Sequence, residues 1–209
     1  MATRLSREAR REQLLDLGRA AVTRSSFDDL SLEDVAHEAG ISRGLLFHYF
    51  PSRRDFVIAI AEQAKDELLA VTDTDPSLDP LTRLRSGLAA YVDHIAAHPD
   101  AYTSLLRGAA GGDDAMQAIA DDGRQQLAER IITGVGLDPA QVDAIVVVAI
   151  RGWFALVEEA AMSWLRDPTT IDRDDLLRLF ERSLGAIALQ VGDDSAARLG
   201  AAILGTPAA

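Results

Sequence analysis

Residues 43–54 read Arg-Gly-Leu-Leu-Phe-His-Tyr-Phe-Pro-Ser-Arg-Arg, and no acid interrupts them. Coiled as a helix, at about 100° per residue, this stretch turns Leu46 and Phe50 to one side. Gly44 and His48 lie opposite, flanked by Leu45 and Phe47. A glycine at the centre of an outward face lets a partner come close to the backbone. The major groove of duplex DNA admits a helix in that way. His48 and Arg43 can then donate to base edges, and Leu45 can meet a thymine methyl. The Tyr49 hydroxyl can reach a phosphate.

Such a helix needs a support that holds it proud of the surface. Ser31 opens a short helix over Leu32–Ala39, with Asp34 three residues on and Leu30 and Val35 placed as a hydrophobic staple. Gly40 supplies a sharp turn. Ser42 then caps a second short helix, about Arg43–Phe50, with Ile41 and Leu46 as its staple. Two capped helices joined by a glycine turn form a helix-turn-helix. Ser52 opens a further helix, with Asp55 at its third position. Arg53 and Arg54 thus stand at the positive end of a helix dipole, where cations are disfavoured. A phosphate bound there would reverse the sign.

The rest of the chain predicts an all-α protein of about nine helices, because 3.6-residue periodicity recurs and strand alternation is nearly absent. A long first helix runs from about Arg7 to Arg24. Others cover about 53–71, 79–98, 101–109, 114–133, 138–166 and 173–190. Asp79-Pro80 and Asp138-Pro139 each read as an N-cap followed by proline at the first helical position. The residues from Asp193 on are small and weakly patterned, which predicts a frayed tail.

Charge divides the chain unevenly. The net charge is −12, yet over residues 1–56 nine arginines balance nine carboxylates. Residues 1–52 are expected to form the DNA-binding domain. Residues 53–209 are expected to form an acidic regulatory and dimerisation domain, with the helix over 53–71 as connector. No apolar stretch approaches the roughly 18 residues of a membrane span, and no secretory leader is recognisable, so a cytoplasmic protein with no membrane partner is expected. The chain has no cysteine. It lacks a phosphate-binding loop, HExxH and GxSxG, so an enzyme is not expected. His94 and His98 lie one turn apart without a third ligand, and no metal or cofactor is expected.

The segment around the turn resembles the DNA-binding domain of the tetracycline-repressor (TetR) family. The likeness rests on Ala39-Gly40-Ile41-Ser42, on Gly44-Leu45-Leu46-Phe47-His48-Tyr49-Phe50 and on Arg53. Leu45 replaces a frequent threonine, Phe47 a frequent tyrosine, and Arg53 the usual lysine. The resemblance implies a homodimer bound to a pseudo-palindromic double-stranded operator, usually as a repressor, and released by a small-molecule effector. The DNA-binding residues are then Ser31, Ser42, Arg43, Gly44, Leu45, Phe47, His48, Tyr49 and Arg53.

In the acidic part, the helix over 138–166 is apolar almost all round, so it is covered on most sides. A second subunit would supply one cover. The expected dimer face comprises Trp164, Leu177, Phe180, Leu184 and Ile187. Arg151 and Glu158, seven residues apart on that helix, form a structural ion pair, or else Arg151, with Arg107, anchors an anionic group. A largely apolar effector site is expected from Tyr91, His94, Tyr102, Leu105, Arg107, Met116, Arg151, Phe154 and Val157. The competing reading is an all-helical ligand-binding or small enzyme module in which the helix-turn-helix is incidental.

Overall fold

The computed structural model describes residues 5–24, 27, 29–110, 112–191 and 194–204, leaving aside the side chains of residues 23, 24, 101, 107–110, 195 and 202. Among them it holds ten α-helices: α1 (Arg7–Arg24), α2 (Leu32–Glu38), α3 (Arg43–Tyr49), α4 (Arg53–Val71), α5 (Pro80–Ala97), α6 (Pro99–Ala110), α7 (Asp114–Gly134), α8 (Ala144–Arg166), α9 (Arg173–Gln190) and α10 (Asp194–Leu204). By packing, the chain falls into two units. The first takes the chain to Glu67 together with His98–Ala120, and the second takes Leu68–Ala97 and everything from Asp121 on. The sequence suggests a boundary near residue 52. Packing carries α4 as far as residue 67, and α6 with the first turns of α7, into the first unit, because Phe56, Ile60, Met116 and Ile119 are buried in one core with Leu14, Leu32 and Leu46.

In the first unit, local sequence accounts for each joint. The Ser31 hydroxyl accepts the Asp34 amide and the Ser42 hydroxyl accepts that of Leu45, each at 3.2 Å. Leu30 and Val35 are buried on either side of the first cap. Gly40 takes φ +65°, a left-handed value that side chains rarely adopt. Ser52 caps α4 reciprocally: its hydroxyl accepts the Asp55 amide at 3.1 Å and donates to the Asp55 carboxylate at 2.7 Å. Gly18 lets α1 and α4 touch closely, since a Cβ there would stand 2.6 Å from both Phe56 and Ile60.

In the second unit, α8 buries Val146, Ile150, Trp153, Phe154, Val157 and Ala161. The Trp153 indole donates to the Phe180 carbonyl and to the Ser183 hydroxyl, both at 3.0 Å, which locks α8 onto α9. Two expectations about this unit need correction. The proline after Asp138 opens only a 3-10 turn, Pro139–Gln141, and α8 starts afresh with Asp143 accepting the Ile145 amide. Residues 205–209 lie outside the described residues, and residues 194–204, expected in a frayed tail, form α10, whose Ala196, Leu199 and Ile203 are buried. Its small residues allow it to lie close against α9. A Cβ on Gly185 would meet Leu204 at 2.6 Å, and one on Gly200 would meet Leu189 at 3.0 Å. No described helix is long and apolar enough to cross a membrane.

Candidate functional site

Of the seven residues of α3, only Leu46 is buried. Arg43, Gly44, Leu45 and His48 are exposed, Leu45 by 40 %, while Phe47 and Tyr49 are half-buried. Around Gly44 the space is open: a Cβ there would meet nothing nearer than the Ser42 hydroxyl at 4.0 Å. The helix therefore presents a groove-sized face that its own unit does not cover. The His48 and Tyr49 rings meet edge to face, with centroids 5.9 Å apart, which restricts both on that surface. Ser31 and Ser42 use a hydroxyl lone pair as cap, and each keeps its O–H as a donor for a phosphate oxygen.

The arginines are disposed differently from what their positions suggest. Arg53 donates from Nε to the Leu30 carbonyl at 3.3 Å and from Nη2 to the Phe27 carbonyl. It thus ties the α1–α2 connection to the start of α4. Arg54 pairs with Asp113 at 3.0 Å. Both guanidinium groups turn from the positive helix end toward oxygen acceptors, which relieves the dipole conflict. Asp113 in turn caps α7. The Met116 amide foremost, and then Arg54, hold its carboxyl below the usual range. Arg43 reaches Glu33 at 2.7 Å and lies 5.3 Å from the centre of the Phe47 ring. Sequence reasoning passed over Glu33, an acid on the same exposed surface as the recognition helix. Its place on the outer side of α2 was legible from periodicity, but its partner was not.

Residues 80–186 match the family model described as "Tetracyclin repressor-like, C-terminal domain", and residues 14–60 match "Bacterial regulatory proteins, tetR family". The chain belongs to the TetR family. It is a DNA-binding transcriptional regulator with that family's all-α fold. A TetR-family regulator from Streptomyces coelicolor superimposes with a TM-score of 0.83 at 27 % identity, covering 97 % of this chain and 91 % of that one. Among curated proteins, an uncharacterised HTH-type transcriptional regulator of Mycobacterium tuberculosis is 25 % identical, over 80 % of this chain and 72 % of its own length. The HTH-type transcriptional activator FasR of Mycolicibacterium smegmatis is 24 % identical, over 82 % of this chain and 79 % of its own.

In this TetR-family chain the second unit holds a cavity of about 100 Å³. Leu84, Leu88, Tyr91, Leu127, Ile131, Trp153, Phe154 and Val157 supply its apolar wall, and Thr72, Asp73, Arg83 and Arg130 its polar groups. Of the residues expected at an effector site, Tyr91, Phe154 and Val157 line it. Leu105 and Met116 instead pack into the core of the first unit, and Tyr102, buried, belongs to that unit too. His94 is half-buried on α5 but does not line the cavity. The Arg107 side chain lies outside the described residues. Arg151 does not line the cavity either. It is an exposed member of an ion-pair chain in which Arg151 meets Asp121 at 3.0 Å, Asp121 meets Arg124 at 3.1 Å, and Arg124 meets Glu158 at 2.7 Å. Glu158 foremost holds the Arg124 guanidinium above its ordinary range. The expected link between Arg151 and Glu158 thus runs through α7 rather than directly along α8.

The expected dimer face needs correction at Phe180 and Leu184. Phe180 is fully buried and Leu184 nearly so, both inside the protomer. Leu177, Ile187 and Trp164 are half-buried, and the Trp164 indole donates to the Ile171 carbonyl at 3.2 Å. The apolar surface left uncovered lies elsewhere on the same helices. Ile145 is 50 % and Val148 62 % exposed on α8, and Leu179 is 45 % and Leu189 49 % exposed on α9. With the exposed Gly152 and Ala155 on α8 and Ala186 on α9, they form two outward stripes at helical spacing.

Proposed function

We propose that this regulator is a homodimeric repressor that occupies a pseudo-palindromic operator and is released by a small, largely apolar effector. The observation that carries the DNA-reading part is the open face of α3, with Gly44 uncovered and Arg43, Leu45 and His48 exposed around it. Arg43 and His48 read base edges, Leu45 meets a methyl group, and Ser31, Ser42 and Tyr49 take phosphates. Phe47 holds Arg43 in place from beneath. Arg53 keeps the α1–α2 connection in register, so its contribution to affinity comes through position as much as charge.

Dimerisation is supported by the stripes through Val148 on α8 and Leu179 on α9, since adjoining exposed apolar surface of that kind marks an interface. Two-fold symmetry then sets the recognition helices about 34–36 Å apart, or a multiple of that. Repression is favoured over activation because occupancy of a promoter suffices for it, whereas activation needs a further surface for polymerase. The cavity in the second unit is the effector site of this reading.

Fluorescence anisotropy with fragments from the region upstream of the chain's own gene tests the proposal. Binding at low salt should weaken about 10³–10⁵-fold between 50 and 200 mM salt for 6–10 phosphate contacts. A salt-insensitive complex, or no complex with any fragment, would contradict it. Val148→Glu combined with Leu179→Glu should yield a monomer by analytical ultracentrifugation that loses operator affinity. A dimer that survives both substitutions would refute this interface.

A further inference from the structure

The Arg83 side chain lines the cavity of the second unit, and its Nε, although buried, has no hydrogen-bond partner among the described residues. Although Arg83 as a whole is only half-buried, this N–H is a standing cost, since folding has stripped its water and supplied no acceptor. Arg130 stands on the same lining, but its Nη1 is already bound to the Leu69 carbonyl and lies 3.4 Å from the Thr72 hydroxyl. That anchoring fixes Arg130 as a second positive charge and leaves Arg83 as the adjustable one. Gly134 lies beside Arg83, and a Cβ there would make ordinary van der Waals contact with Nη1 at 3.6 Å. The acids nearby are both at the surface. Asp73 is an exposed residue of the lining, and Asp75 is held low by Ser77 first and by Arg83 only in smaller part.

We propose that the cavity binds a small carboxylic acid, with its carboxylate on Arg83 and its hydrocarbon body against Leu88, Trp153 and Phe154. The edge of a guanidinium matches a carboxylate bidentately, and a slight rotation of Arg83 turns Nε toward the cavity. A phosphate dianion fits less well, because the wall is mostly aliphatic and aromatic and offers few further donors. Size sets the body: a cavity of about 150 Å³ takes benzene, so one of about 100 Å³ suits a hydrocarbon body of about four carbons, with the carboxylate beyond it on Arg83. This assignment rests on the reading of the cavity as the effector site and names its chemistry.

The test uses the full-length protein and isovalerate, with isovaleramide as its neutral isostere. Calorimetric titration should show saturable binding of one isovalerate per chain and at least tenfold weaker binding of the amide. Arg83→Met should abolish that preference, and Arg83→Lys should restore part of it, which separates a lost contact from a lost fold. Arg151→Met, remote from the cavity lining, should leave the preference intact. Equal affinity for acid and amide, an undiminished acid preference in Arg83→Met, or no saturable binding of isovalerate would overturn the proposal. Operator affinity measured in parallel keeps the two readings apart. Isovalerate that binds without releasing DNA leaves the carboxylate site standing and removes its role as effector site. DNA binding that persists without any isovalerate binding does the reverse.

Discussion

The two units differ in the use of one arginine. In the first, guanidinium groups are spent on the chain itself or displayed at the surface: Arg53 on carbonyls, Arg54 on Asp113, and Arg43 exposed beside Glu33. In the second, most do the same, as Arg130 does on the Leu69 carbonyl and Arg124 on Glu158, but Arg83 has a buried Nε with no partner among the described residues. A surface built to meet a polyanion needs donors that water already serves, so that swapping water for phosphate costs little. A cavity built for one small ligand does better with a donor already dehydrated, since the ligand then gains the whole interaction. Net charge says the same at lower resolution, with a balanced head and an acidic body.

The contrast breaks first at the cores. Phe56→Ala should cost about 3–5 kcal/mol and abolish operator binding. Hydrogen exchange should then accelerate across the first unit and much less beyond Asp121. Uniform acceleration along the chain would mean that the units do not behave separately. Arg43→Ala comes next, at about 1–3 kcal/mol of base discrimination. A selection experiment should find one operator position relaxed while the salt slope of binding barely changes. Arg53→Met should lower the midpoint of thermal unfolding and weaken binding to every sequence alike. If unfolding is unmoved and the salt slope falls by about one, Arg53 is a phosphate ligand rather than a tie.

Smaller effects sharpen the picture at its edge. Exposed ion pairs contribute about 0–1 kcal/mol, so Glu33→Gln should tighten operator binding up to about fivefold by freeing Arg43 and removing a like charge from the phosphates. Weaker binding would show that Glu33 positions Arg43 instead. The least effect is expected for Asp113→Asn. A carboxyl held low in the folded state contributes stability that is complete above its unfolded pKa, about 3.9, and is lost as pH falls through the folded value. The variant should therefore differ from the parent near neutrality and converge with it below about pH 4. A gap that widens on acidification would contradict the assigned role.

Short-range chemistry was legible in the sequence wherever it decides local structure. The caps at Ser31, Ser42 and Ser52 and the turn at Gly40 stand where their residue types require, and the outward face of α3 follows from periodicity alone. What escaped was set by partners distant along the chain. Arg83 reads as a solvated residue on an amphipathic helix until Trp153 and Arg130 close the cavity around it. Phe180 and Leu184 read equally well as a subunit face or a protomer core, and α8 decides between them. The periodic apolar residues of α10, Ala196, Leu199 and Ile203, are present in the sequence. Alanine and glycine around them dilute the signal, and it is the closeness of α9 that makes small residues useful there.

Gly18 has a consequence for any switching motion of the head. Because the Phe56 and Ile60 side chains of α4 are seated on the α1 backbone at Gly18, sliding α4 along α1 would drive them out of that notch. Shear between packed helices would have to unseat this contact, whereas hinge motion would not. A displacement entering along α4 must therefore carry α1, and the recognition helix fixed beneath it, as a single block. In the proposed dimer the operator would then be lost by mis-spacing of two intact heads rather than by the melting of either one.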